Sequence, residues 1–115
     1  MKVTRLLDAP SYEAPGHHGM AMQRLQGKEV GPTDVLWMGL STIEPGGGTS
    51  SSASAVEKFY VVLEGELTVK ASRDGKDQVE ILHPLDSCRI EPGEARRLFN
   101  HSDAPCRVLL AMPIA

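Results

Sequence analysis

Residues 46–65 read GGGTSSSASAVEKFYVVLEG, from Gly46 to Gly65, and their pattern decides the fold. A run of glycine, serine and alanine gives way, past Lys58, to a short strand Phe59-Tyr60-Val61-Val62, made of the aromatic and β-branched residues that suit a pleated strand, and Glu64-Gly65-Glu66 then turns the chain. Strand side chains alternate faces, so Lys58, Tyr60 and Val62 share one face while Phe59, Val61 and Leu63 take the other. A cation therefore travels with an apolar set. The same grammar repeats outward: residues 36–43, 67–71, 78–82, 87–90, 95–100 and 106–112 read as short strands. Pro45-Gly46-Gly47-Gly48, Arg73-Asp74-Gly75-Lys76, His83-Pro84-Leu85-Asp86 and Glu91-Pro92-Gly93 punctuate them. Asp74-Gly75 is the best hairpin signal, because that pair accepts the positive φ values of a tight turn. No segment of helical length carries an apolar stripe, so the pattern predicts an antiparallel sandwich or barrel.

The spacing of residues 46–65 resembles, without a gap, the first motif of the cupin family, G-x5-H-x-H-x3-E-x6-G. Ser52 and Ser54 stand at its two histidine positions and Lys58 at its glutamate. The second motif of that family, G-x5-P-x-G-x2-H-x3-N, can be laid on residues 85–100. Gly93 and Asn100 match; Leu85 replaces the opening glycine, Glu91 the proline (with Pro92 one place later), and Arg96 the fourth metal-binding histidine. The resemblance implies an all-β fold, a double-stranded β-helix or jelly-roll barrel of short antiparallel strands with an N-terminal arm. Residues 1–33, broken by prolines and glycines, are read as that arm and residues 34–115 as the barrel. Such an arm often pairs with a neighbouring subunit and covers a sheet edge, so a homodimer is expected. Residues 46–55 read as a mobile loop at the barrel mouth.

With 115 residues, 41% of them hydrophobic, the chain is sized for one domain with a modest core. A net charge of −3 and basic residues that are scattered apart from Arg96-Arg97 argue against nucleic acid. No apolar run approaches the roughly 20 residues of a membrane span, and MKVTRLLDAP lacks a signal-peptide core, so a soluble cytoplasmic protein is expected. Cys88 and Cys106 have neither zinc-site spacing nor the number of a disulfide scaffold, and read as reduced, buried, apolar side chains.

The substituted positions point away from metal. Ammonium and guanidinium groups have no lone pair to give, and two cations repel a third, so no cofactor is expected at the family's usual metal place. Two cations with hydroxyls beside them suit an anion: Arg96 offers a planar fork, Lys58 a movable point charge, and Ser52, Ser54, Tyr60 and Asn100 are orienting groups. The expected partner is therefore a small organic anion such as a carboxylate. In an alternative, Arg96 and partial burial depress the Lys58 pKa until it acts as base or nucleophile in a metal-independent isomerase, decarboxylase or cyclase. A second alternative keeps a metal through His17 or His18 with Glu57 or His101, although adjacent strand residues such as His17 and His18 face opposite ways. A one-residue bulge would turn Glu57 inward in place of Lys58. A barrel used only for protein contacts is a further alternative. Trp37, Tyr60, Met20, Met22 and Met38 are candidates for an apolar pocket or for core packing.

Overall fold

A computed structural model describes residues 1–114. Ten strands and two single-turn 3-10 segments, Leu6–Asp8 and Lys28–Val30, make up its regular structure. The strands are β1 (Ser11–Tyr12), β2 (His17–Gln26), β3 (Leu36–Thr49), β4 (Ser52–Ala53), β5 (Lys58–Glu64), β6 (Leu67–Arg73), β7 (Lys76–Leu82), β8 (Ser87–Ile90), β9 (Ala95–Phe99) and β10 (Cys106–Pro113). All pairings are antiparallel, in the order β7-β6-β9-β3-β10-β5-β8, with β2 also on β3 and β4 on β9. The result is a nearly closed jelly-roll barrel. Among the described residues no helix is long and apolar enough to cross a membrane.

Alternation builds the interior. Lys58, Tyr60 and Val62 of β5 are buried while Phe59 and Leu63 are exposed, and Arg96 and Leu98 of β9 are buried beside exposed Arg97. Ile43, Val62, Leu67, Leu98, Cys106 and Val108 form the centre of the core, each at most 2% exposed. The Asp74-Gly75 hairpin forms as expected, with both residues at positive φ and Arg73 paired with Lys76.

Residues 46–48 correct the sequence reading. They were expected to belong to a mobile loop, yet they continue β3, pinned on one side by β2 and on the other by the end of β9. The Gly46 amide donates to the Asn100 carbonyl (2.9 Å) and the Asn100 amide to that of Gly47 (3.0 Å). A side chain at Gly48 would drive into the Leu98 carbonyl and one at Gly47 into that of Gly19, so the glycines let three backbones meet. The arm is also more regular than expected, since β2 runs ten residues along β3 of its own barrel.

Candidate functional site

The site is a cavity of about 380 Å³ between the arm and the inner face of the barrel. Lys58, Tyr60, Arg96 and Ser41 are polar groups of its wall, and Met20, Met22, Leu98, Leu110 and Met112 give it an apolar one. The alternation of β5 and β9 therefore brings the two cations to one space. Lys58 is 8% and Arg96 6% exposed. Among the described residues neither lies within 4.0 Å of a carboxylate.

Hydroxyls hold both cations in place. Lys58 Nζ donates to Ser54 Oγ at 3.0 Å. Arg96 Nε donates to Tyr60 Oη at 3.0 Å, and Nη1 to Thr49 Oγ1 (3.2 Å), Ser52 Oγ (3.3 Å) and the Ser50 carbonyl (3.4 Å). Ser52 sits directly across from Arg96 in the β4–β9 pairing, which explains its reach. Ser52 and Ser54 thus position the cations and are not themselves among the lining residues. Burial, and secondarily the Arg96 charge, lowers the Lys58 pKa from the ordinary lysine value. Burial raises that of Tyr60, although Arg96 opposes the shift.

Asn100 does not take the orienting role expected of it. Its amide nitrogen donates to the carbonyls of Ile43 (3.0 Å) and Ala104 (2.8 Å), and its Oδ1 accepts from the amide and hydroxyl of Ser102. It is absent from the cavity wall and ties the β9–β10 turn to β3. A buried asparagine must satisfy a donor and an acceptor, and backbone was nearer than ligand.

The alternative metal ligands do not converge. His17 lines the cavity with its Nδ1 donating to the Pro15 carbonyl at 2.8 Å, which leaves only Nε2 to meet an ion, while His18 is exposed on the other face of β2. Glu57 faces outward and pairs with Arg89, so no bulge exchanges it with Lys58. His101 packs against Phe99, ring centroids 4.3 Å apart, outside this cavity. Among the described residues no three His, Cys, Asp or Glu side chains gather as metal ligands. The usual metal of the fold family would need Ser52, Ser54, Lys58 and Arg96 as donors, and that set does not fit a cation.

Sequence reasoning missed part of the arm's share of the site. Tyr12, Glu13, Ala14 and Arg24 line the cavity together with Trp37, which the sequence did suggest. Tyr12 meets Trp37 edge to face at 5.7 Å, and Arg24 stacks over both rings. Met20 and Met22 line the cavity as suggested, whereas Met38 faces a separate cleft near Gly27 and Pro32. Residues 17–26 read HHGMAMQRLQ, with no polar–apolar alternation to mark a strand, and the glycines and prolines around them masked it further.

Residues 39–112 match the family described as "Cupin domain", and the chain belongs to that family. It is 43% identical over 117 residues to the beta-D-galactosidase Rv1717 of Mycobacterium tuberculosis, covering all of this chain and 97% of that one. Its fold is similar to the polyketide cyclase RemF of Streptomyces resistomycificus (TM-score 0.86, 22% identity, 100% of this chain and 80% of that one). A predicted oxalate decarboxylase of Thermotoga maritima is similar as well (TM-score 0.79, 20% identity, all of both chains). At these identities the two structures speak for the barrel alone.

Proposed function

We propose that the barrel cavity binds a small organic anion, with Arg96 and Lys58 as its charge partners and Tyr60 beside them. The observation that carries this reading is two buried cations facing one cavity, with no carboxylate within ion-pair reach among the described residues. Burying an unpaired charge is costly, and an anionic ligand removes that cost while using the free donors of both groups. Lys58 spends one of its donors on Ser54, and Arg96 Nη2 has no partner among the described residues. Calorimetry with pyruvate and benzoate tests the reading against Arg96→Gln and Lys58→Met. Binding that Arg96→Gln and Lys58→Met each weaken at least about tenfold supports it, since a charge-assisted bond contributes about 1.5–3 kcal/mol. Absence of binding by both probes, or affinity untouched by Arg96→Gln, overturns it. Turnover, where the anion is an oxo acid, falls to Lys58 as base or nucleophile, and borohydride trapping of a Schiff base reports the second role.

A second reading is hydrolysis of a β-galactoside, favoured by the 43% identical relative of that name. The usual route needs two carboxylates beside the scissile bond. The cavity wall has one, Glu13, so Lys58 would supply the proton in place of the second. Wild-type protein should then release nitrophenol from 4-nitrophenyl β-D-galactoside, and Glu13→Gln should be slower by about a hundredfold or more. An inactive wild type, or an unaffected Glu13→Gln, sinks this reading.

A further inference from the structure

The mouth of the cavity carries cations that the deep site leaves unexplained. Arg24 and Lys28 join Lys58 and Arg96 in the wall, four cations against the one lining carboxylate Glu13, in a chain whose net charge is −3. Charge of one sign is thus collected in the cavity against the trend of the molecule, and such a concave cationic wall concentrates anions.

Arg24 is held by two rings and a carboxylate. Its guanidinium carbon lies 3.7 Å from the Tyr12 ring centroid and 4.3 Å from that of Trp37, and its side chain is 12% exposed. Nε donates to Glu29 at 3.1 Å, whereas Nη1 and Nη2 make no hydrogen bond among the described residues. Nor is either sealed away from solvent without a partner. Two rings fix the plane of the fork, so a ligand would meet an ordered donor pair with little further entropy to lose. Fastening the arm to β3 requires the aromatic faces and the Glu29 bond; it does not require a free outer edge at the cavity wall. Lys28 stands beside it on a left-handed turn of backbone, φ +52°.

We propose that the ligand carries two anionic groups, one held by Lys58 and Arg96 and the other by the free edge of Arg24 with Lys28 at the rim. This rests on the anion reading of the deep site and specifies the class of ligand: an elongated dianion.

Affinities of the full-length protein for malonate, succinate, glutarate and adipate, each set against the monocarboxylate of equal carbon number, test it. One length should bind at least about tenfold more tightly than its monocarboxylate, the worth of one further charge-assisted bond. Arg24→Gln should bring that ratio to within about twofold, a change that mere loosening of the arm would not produce because both ligands would weaken together. A monocarboxylate that binds with no dicarboxylate advantage, or a ratio that survives Arg24→Gln, overturns the dianion and leaves the deep site standing. Failure of every acid to bind overturns both. A wild-type protein with no dicarboxylate advantage overturns the dianion even where the variant does not fold.

Discussion

Lys58 puts a charge where the fold would be better served by a methyl group. It is buried among apolar wall residues and hydrogen-bonded to a single hydroxyl, so its removal should stabilise the protein while it disables the site. Lys58→Met is expected to gain about 1 to 3 kcal/mol in denaturant unfolding, as replacement of buried charge by an apolar isostere often does. The direction of the pKa shift adds a pH dependence. The folded state releases the Lys58 proton below the ordinary lysine value while the unfolded chain holds it, so between those two values the unfolded state binds more protons. The Lys58 contribution to stability should therefore rise with pH in that window, opposed by Cys88 and Cys106, whose thiols burial pushes up to about 11, and by the tyrosines, while anion affinity should fall. From pH 8 to pH 10 the stability of the wild type relative to Lys58→Met should rise, a comparison in which the cysteines and tyrosines cancel, and the loss of anion affinity with pH should be absent from the variant.

At the scale of elements, one turn and one strand crossing reveal how the motif keeps its frame. In His83-Pro84-Leu85-Asp86 the Asp86 amide closes the turn on the His83 carbonyl at 2.9 Å, and Leu85 sits at φ +73°. That is the position at which the family motif opens with glycine, so the backbone requirement persists after the residue has changed. Leu85 is 80% exposed and has little packing to lose. Leu85→Gly should stabilise by about 1 kcal/mol, read as a higher Tm, because a left-handed backbone strains any side chain. Gly48→Ala should do the reverse, costing at least about 2 kcal/mol, since β3 and the carbonyl of Leu98 in β9 leave no room for a methyl group and neither backbone can yield.

Across the whole molecule, closure of the barrel decides what is reachable. Cys106 is 0% exposed at the centre of the core and burial pushes its thiol up to about 11, so it should be protonated and shielded at neutral pH. Its labelling by a disulfide reagent should follow global unfolding and rise in step with denaturant, whereas fast labelling in the native protein would show that the barrel opens at that point. The arm completes the same enclosure from the other side: Tyr12, Ala14 and His17 form part of the wall that Lys58 and Arg96 face.

The positions of seven of the strands, the hairpin at Asp74-Gly75, and the inward faces of β5 and β9 were all legible in the chain, because a period of two and the chemistry of turns are local properties. So was the pairing of Lys58 with Arg96 as cations sharing a site, since motif spacing stands in for distance within one fold. The place of Asn100, the ordering of residues 46–48 and the share of Arg24, Tyr12 and Glu13 in the cavity were not. Each depends on a neighbour far along the chain: Ile43 for Asn100, β2 and β9 for the glycines, Trp37 for Arg24. Local sequence fixed which way each strand presents its side chains; only the closing of the barrel determined which of those side chains meet, because a hydrogen bond or a stacked ring is made across space and carries no mark in sequence separation.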